Sequence, residues 1–151
     1  MTDLLQQTSK GLYCPIGDFF VDPHLPVQRA VLTHAHSDHA RPGSAEYLAA
    51  SPSEHLLRMR LSSDAAMQFL PYGESISVGG VSIRFYPAGH ILGSAQVRLE
   101  HQGQVAVVMG EKKEDLQNLI ETAFRNGEKP QMDYRYYPLK WVEPYKTRRF
   151  Q

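Results

Sequence analysis

The chain has 151 residues, enough for one globular domain with a hydrophobic core and too few for two comfortable ones. Hydrophobic residues make up 42% of it and charged residues 21%, so the composition argues against a largely disordered chain. The formal net charge is zero, which excludes a global electrostatic attraction to nucleic acid but not a local basic patch.

The single cysteine, Cys14, excludes an internal disulfide framework and suits a reducing compartment. We expect it to be a small buried hydrophobic residue rather than a metal ligand. The N-terminal segment holds no apolar stretch long enough for a signal peptide or a membrane span. Together these features predict a soluble protein of the cytoplasm that does not act at a membrane.

Short apolar runs separated by glycine and proline predict β-strands in the first third of the chain. The runs cover residues 18–22, 29–33 and 47–50. The segment Ser51-Pro52-Ser53-Glu54 then offers a cap, a proline in the first turn and an acidic start. We therefore expect a short helix over residues 55–59.

The next part of the chain predicts two β-hairpins. Strands over 76–78 and 81–85 flank Gly79-Gly80, a dipeptide suited to a tight turn. Strands over 95–100 and 104–109 form the second hairpin. The apolar run in the second strand of this hairpin indicates that the strand is fully buried.

After Gly110 the character of the chain changes, and we divide it into residues 1–110 and a divergent tail, 111–151. Apolar residues at helical spacing, followed by an Asn-Gly stop, predict a helix over about 114–126. The chain from residue 131 onward is rich in aromatic and basic residues, which suits either nucleic-acid binding or short strands with a solvated basic end. We favour the short strands.

Residues 33–40 read T-H-A-H-S-D-H-A and contain a dense cluster of potential metal ligands. Neutral imidazoles and a carboxylate are natural ligands of zinc, whereas an ordinary core would leave such side chains crowded and unpaired. The apolar run at 30–32 indicates a buried strand that ends in a loop, where ligands usually lie. The alternative is a surface cluster of histidines, and we favour the metal site. The potential ligands are His34, His36, Asp38 and His39.

The spacing within this cluster suggests ligands for two ions. In an extended segment His34 and His36 point the same way, so both can hold one ion, whereas Asp38 and His39 follow a turn and are better placed for a second. His90 follows another predicted strand, between glycines, in P-A-G-H-I-L-G-S-A. Taken alone it would be an ordinary loop histidine. Together with the cluster it completes three imidazoles around one ion with an open position, the arrangement of a hydrolytic zinc site.

Several of these segments resemble the metallo-β-lactamase fold. The resemblance rests on H-A-H-S-D-H at 34–39, an aspartate that ends the preceding strand, and A-G-H-I-L-G-S-A at 88–95, a form similar to the branch that cuts DNA and RNA. The longer stretches G-L-Y-C-P-I-G-D-F-F-V-D-P and T-H-A-H-S-D-H-A-R-P-G-S-A-E-Y-L-A-A-S-P-S-E resemble the DNA ligase-associated exonucleases of bacteria. The resemblance covers about residues 9–110.

This resemblance implies an α/β fold, a metallo-β-lactamase-like αββα sandwich, of which residues 1–110 form the N-terminal half. It implies a phosphodiesterase with two zinc ions, or with manganese, that hydrolyses DNA or RNA in DNA repair through a metal-bridging hydroxide. The implied partners are the nucleic acid and a DNA ligase and helicase of the same repair system. Half a sandwich leaves an apolar sheet face, which the tail or a second copy of the chain must cover.

The resemblance also implies a role for each site residue. His34, His36 and His90 bind the first ion, whereas Asp38 and His39 bind the second. Asp38 is in addition the catalytic residue that helps to orient the attacking hydroxide. Asp22 is a supporting carboxylate that holds the ligand loops.

The chain departs from this family at the second ion. Glu111 stands where the family has an aspartate that bridges both metals, and its extra methylene displaces the carboxylate. The last histidine of the chain, His101, lies in a predicted hairpin turn, so no later histidine completes the second site. We therefore expect about one tight zinc ion per chain, a weak second ion and low or no nuclease activity.

The leading hypothesis is a metal-dependent nuclease of the ligase-associated exonuclease type. The second is a non-catalytic metal-binding module that contacts nucleic acid or a protein partner, and it predicts binding without cleavage. The third is a small-molecule hydrolase of the same fold, which fits H-x-H-x-D-H equally well but is disfavoured by A-G-H-I-L-G-S-A.

Overall fold

Two stacked β-sheets and one α-helix form the part of the chain that the structure describes. The structure is a computed structural model, and it describes residues 3–62, 64–89 and 91–108, together with the backbone of Tyr136–Pro138. This mixed α/β architecture with few helices confirms the predicted fold class. No helix among the described residues is long and apolar enough to cross a membrane.

The first sheet has six strands in the same order as they occur in the chain. The first three strands pair antiparallel, whereas the third to the sixth pair parallel. Parallel strands all end at the same edge of a sheet, so the loops that follow them meet there. The strands are β1 (Gln6–Thr8), β2 (Gly11–Cys14), β3 (Phe19–Val21), β4 (Arg29–Val31), β5 (Glu46–Ala50) and β6 (Met67–Leu70).

The second sheet is antiparallel throughout, in the order β11-β10-β9-β8-β7. Both predicted hairpins are present in it. Gly79 and Gly80 make the turn of the first, with φ angles of +58° and +86° that glycine adopts without strain. The strands are β7 (Ser75–Val78), β8 (Val81–Pro87), β9 (Ala95–His101), β10 (Gln104–Val108) and β11 (Tyr136–Pro138).

The main hydrophobic core lies between the two sheets. Alternate residues of several strands point into it, so that Phe19 and Val31 of the first sheet belong to the same buried cluster as Phe85 and Val97 of the second. Cys14 is fully buried in this cluster as a free thiol, as expected from the sequence. Removal of this apolar surface from water is the main force that holds the sheets together.

The single helix in the described part of the chain, α1 (Glu54–Leu61), covers the other face of the first sheet. It follows a 3-10 turn at Ser51–Ser53 and places Leu57 and Leu61 in a second buried cluster with Leu32. The predicted helix is therefore confirmed and is slightly longer than expected. Its packing explains why the parallel strands of the first sheet are apolar on both faces.

Three strands of the first sheet, β1, β2 and β6, were not predicted. β1 contains no apolar residue, and β6 is too short for a clear alternating pattern, so pairing with a neighbour rather than local sequence makes each of them a strand. The predicted helix at about 114–126 lies outside the described residues, as does most of the tail. Tyr136–Pro138 pairs antiparallel with β10, as a short strand in the aromatic segment should. The division of the chain at residue 110 stays a prediction.

Candidate metal centre

The candidate site lies at the carboxyl end of the first sheet. Asp22 directly follows β3, and His34 follows β4 after two further residues. These two strands are parallel neighbours, so both residues emerge at one edge of the sheet. The Leu32 N–H donates to the Leu48 carbonyl at 2.9 Å, which extends the pairing of β4 almost to His34 and fixes where the loop begins.

A hydrogen-bonded turn then gathers the histidine rings. The carbonyl of His36 accepts the N–H groups of His39, at 3.0 Å, and Ala40, at 2.8 Å, so the loop reverses direction. The centroid of the His39 ring lies 4.1 Å from that of the His34 ring. The centroid of the His36 ring lies 4.9 Å from that of the His34 ring, and these two rings meet edge to face. The ring of His34 therefore contacts both of the other imidazoles.

The carboxylate of Asp22 accepts the hydrogen bonds that hold these rings in place. One carboxylate oxygen, Oδ1, accepts the Thr33 N–H at 2.9 Å, and the other, Oδ2, accepts the Thr33 hydroxyl at 2.6 Å and His39 Nδ1–H at 2.7 Å. Asp22 is 8% exposed and has a φ of +47°, a left-handed conformation that costs roughly 1–2 kcal/mol. Its three hydrogen bonds offset both the strain and the loss of water.

Asp22, His34 and His39 offer donor atoms that all lie within 4.8 Å of one another, a separation that allows a shared metal ion. Because both oxygens of Asp22 already accept hydrogen bonds, its carboxylate is better suited to hold the histidines than to bind the ion itself. The imidazoles therefore remain as the donors that could bind an ion. This donor chemistry fits a borderline divalent ion.

Asp38 lies at the mouth of the site, with a side chain that is 71% exposed. Its Oδ2 is 3.5 Å from Nε2 of His39. Partial burial acts to raise the pKa of Asp38, but His39, a backbone N–H bond and the charges of His34 and His36 outweigh it, so the pKa is lowered. Asp38 is therefore an ionised, accessible carboxylate beside the imidazoles.

The helix braces the ligand loop from behind. Arg60 of α1 donates its Nε–H to the carbonyl of Ala35 at 2.6 Å, and Ala35 separates His34 from His36. The sequence offered no signal for this contact, because the two residues are 25 positions apart and only the packing of α1 brings them together.

The loop between β8 and β9 docks against the same end of the first sheet. The Ala95 N–H donates to the Thr33 carbonyl at 2.7 Å, and the hydroxyl of Tyr72 donates to the carbonyl of Ser94 at 2.9 Å. Gly93 packs so closely on Ser53 that an added Cβ would lie 2.3 Å from the Ser53 nitrogen. These contacts fix residues 93–95 of the loop against the first sheet, next to Thr33.

The structure brings five of the predicted site residues together, although it does not describe all of them. His90 and Glu111 lie outside the described residues, so their predicted parts in the site stay predictions. Sequence reasoning missed Thr33, Arg60 and Gly93, which hold the site from behind. A hydroxyl directly before a ligand histidine was the available signal for Thr33. The five residues are Asp22, His34, His36, Asp38 and His39.

No protein-family model matches this chain. A curated relative, a probable DNA ligase of Opitutus terrae, is 38% identical over 94 residues, which cover 62% of this chain and 9% of the relative. The chain thus corresponds to a small part of that protein, and the activity of the whole relative does not transfer to it by this match alone.

Two solved structures are similar to this chain in architecture. One is BJP-1, a subclass B3 metallo-beta-lactamase of Bradyrhizobium japonicum, with a TM-score of 0.45 at 12% identity over 95% of this chain and 82% of that one. The other is Zn(2+)-bound PqqB from Methylobacterium extorquens, with a TM-score of 0.39 at 11% identity over 72% of this chain and 52% of that one. Both likenesses concern architecture and not activity.

Proposed function

We propose that this chain carries the metal centre of a metal-dependent nuclease, a hydrolase of phosphodiester bonds in DNA or RNA. The observation that carries the proposal is the Asp22 network. It holds two histidine rings 4.1 Å apart beside the exposed, ionised Asp38, at the open end of the first sheet. An ordinary fold gains little from crowding polar groups in this way, because each must be desolvated and paired.

We propose zinc as the metal, with His34, His36 and His90 as ligands of the first ion and Asp38 and His39 as ligands of the second. The 3.5 Å between Nε2 of His39 and Oδ2 of Asp38 supports their part, because neighbouring ligand atoms in a tetrahedral zinc site are about 3.3 Å apart. A zinc ion held there supplies Lewis acidity to a phosphoryl oxygen. Glu111 would be a further ligand in this proposal.

Two carboxylates of the protein, those of Asp22 and Asp38, have further roles in this proposal. Asp22 orients the ring of His39 directly and holds the loop through Thr33, so the ligands are in place before an ion arrives. Asp38 is ionised and open to solvent, so it can accept a hydrogen bond from the attacking water and orient it towards the phosphorus.

Nucleic acid is the proposed substrate on two grounds. The A-G-H-I-L-G-S-A segment has the form that the nuclease branch uses, and the 38% identical relative is named a probable DNA ligase. A nuclease and a DNA ligase act on the same polymer. We therefore place the chain in a DNA repair context, with a ligase as partner, in the cytoplasm.

Cleavage of labelled single-stranded DNA, double-stranded DNA and RNA tests this proposal. We expect slow cleavage that requires added manganese or zinc, and at least about a 100-fold loss of rate in Asp38→Ala. The matched control is Ser37→Ala, since Ser37 is an exposed neighbour in the same turn and should keep the wild-type rate. Cleavage that survives Asp38→Ala, or binding of nucleic acid with no cleavage at all, would contradict the nuclease proposal; the second result favours a non-catalytic module.

A further inference from the structure

We propose that Thr33 is a positioning residue of the metal centre. Its hydroxyl transmits the orienting effect of Asp22 to His34, fixes the proton of that ring on Nδ1 and turns the Nε2 lone pair towards the metal. This inference rests on the proposed metal-binding function, and it adds a residue that the ligand motif itself does not include.

The geometry ties Thr33 to both neighbours at once. Thr33 is 1% exposed, and its Oγ1 lies 2.6 Å from Oδ2 of Asp22 and 2.8 Å from Nδ1 of His34. Its backbone N–H also donates to Oδ1 of Asp22 at 2.9 Å. The side chain therefore has no freedom to rotate away without breaking two buried hydrogen bonds.

Counting protons decides the direction of these bonds. A threonine hydroxyl has a single proton, and an ionised carboxylate can only accept, so the proton lies between Oγ1 and Asp22. The lone pair of Oγ1 then accepts from His34, which puts the ring proton on Nδ1. In the reverse arrangement Oγ1 and Oδ2 would be two acceptors 2.6 Å apart with no proton between them.

His39 provides an internal comparison, because the same carboxylate oxygen orients it without an intermediary. Its Nδ1 is 2.7 Å from Oδ2 of Asp22, the oxygen that also accepts the Thr33 hydroxyl. One buried carboxylate thus sets the tautomers of two rings, one directly and one through Thr33. Removing the hydroxyl should change His34 and leave the proton of His39 where it is.

Two substitutions separate the hydroxyl from the packing of the side chain. Thr33→Val keeps the shape and removes the hydroxyl, whereas Thr33→Ser keeps the hydroxyl and removes a methyl group. Competition of zinc with a chromophoric chelator should show about a 10- to 100-fold loss of affinity in Thr33→Val, and Thr33→Ser should stay within about threefold of the wild type. The visible spectrum of bound cobalt should change in the valine variant alone.

Nitrogen-15 NMR of the metal-free protein supplies a readout that packing alone would not move. We expect His34 to carry its proton on Nδ1 in the wild type and in Thr33→Ser, and to lose this preference in Thr33→Val. His39 should keep its Nδ1 proton in all of them. If the valine variant does not fold, the wild-type spectrum still decides, since a proton on Nε2 of His34 overturns the inference.

The two readouts distinguish failure of this inference from failure of the proposed function. A wild type that binds no zinc contradicts the metal centre, whereas the NMR arm still tests Thr33. A wild type that binds zinc, together with a Thr33→Val variant that binds it equally well, contradicts the role of Thr33 alone. Equal losses in the valine and serine variants would show that the methyl group and its packing matter instead.

Discussion

The two ends of the first sheet both carry acidic and basic side chains, but the structure arranges them differently. At the carboxyl end, buried Asp22 accepts three hydrogen bonds of 2.6 to 2.9 Å from Thr33 and His39. At the amino end, Arg29 and Glu46 line a cleft of about 610 Å³ between the sheets. Their side chains are 45% and 61% exposed, with 3.8 Å between Nε and Oε2.

The two ends differ in the burial and hydrogen bonding of their charged side chains. An exposed pair at a long distance contributes about 0–1 kcal/mol, because water solvates each charge nearly as well as the partner does. A buried carboxylate must recover its lost hydration from well-placed donors, and it then fixes the orientation of those donors. Geometry, and not residue type, therefore distinguishes the candidate metal centre at the carboxyl end from the ion pair at the amino end.

The largest loss of stability is expected from Gly93→Ala, which disrupts the packing of the second sheet on the first at the carboxyl end. The φ of Gly93 is +77°, and the new methyl group would lie 2.3 Å from backbone nitrogen of Ser53. Strain and overpacking together should lower the free energy of unfolding by roughly 2–5 kcal/mol, measured by chemical denaturation.

Gly73→Ala is the matched control for that variant. The φ of Gly73 is +81°, but no atom lies within 4 Å of the position that its Cβ would take. Only the backbone strain of about 1–2 kcal/mol should then appear. Equal losses in the two variants would contradict close docking of the loop on Ser53.

Asp22→Asn should lower the free energy of unfolding less than Gly93→Ala does, and it should also weaken zinc binding. Asparagine tolerates the left-handed φ, so the backbone should not change. Its NH2 group, however, must face either the Thr33 N–H or Nδ1 of His39, and in the second case the ring proton moves to Nε2, the nitrogen that we propose as the metal ligand. We expect a loss of about 1–3 kcal/mol in stability and at least about tenfold in zinc affinity.

Asp18→Asn controls for the chemistry of that exchange. Asp18 also has a positive φ, +53°, but it is exposed and accepts one described hydrogen bond, from the hydroxyl of Tyr13. We expect its stability to change by less than about 0.5 kcal/mol and its zinc affinity to stay the same. Wild-type zinc binding in Asp22→Asn would show that the network does not orient the ligands.

Only a small effect is expected from Arg29→Ala, at the amino end. The ion pair with Glu46 is long and exposed, so the free energy of unfolding should fall by less than about 1 kcal/mol, and zinc affinity should not change. Thermal denaturation and chelator competition measure both quantities. A loss of stability above about 2 kcal/mol, or a change in zinc binding, would show that the two ends are coupled.

Local sequence predicted the features that depend on neighbours along the chain. The alternating strands, the turn at Gly79-Gly80 and the ligand cluster from His34 to His39 all follow from period, turn chemistry or spacing within a few residues. Asp22 was also predicted, but through the resemblance to the metallo-β-lactamase fold, as the aspartate that ends the strand before the cluster.

The contacts that hold the site rigid could not be predicted in this way. Arg60 reaches Ala35, and Gly93 packs on Ser53, only after the helix and the second sheet have docked on the first. The strands β1 and β6 likewise depend on pairing with a neighbour rather than on their own residues. Such contacts join distant parts of the chain, so local sequence patterns do not predict them.

The metal content of the purified protein tests the central claim most directly. After dialysis against metal-free buffer, mass spectrometry should find about one zinc ion per wild-type chain and almost none in His36→Ala. The control is His55→Ala, since His55 is an exposed histidine on α1, and it should retain the wild-type content. A wild type without zinc, or full zinc content in His36→Ala, would contradict a metal centre at the carboxyl end of the first sheet.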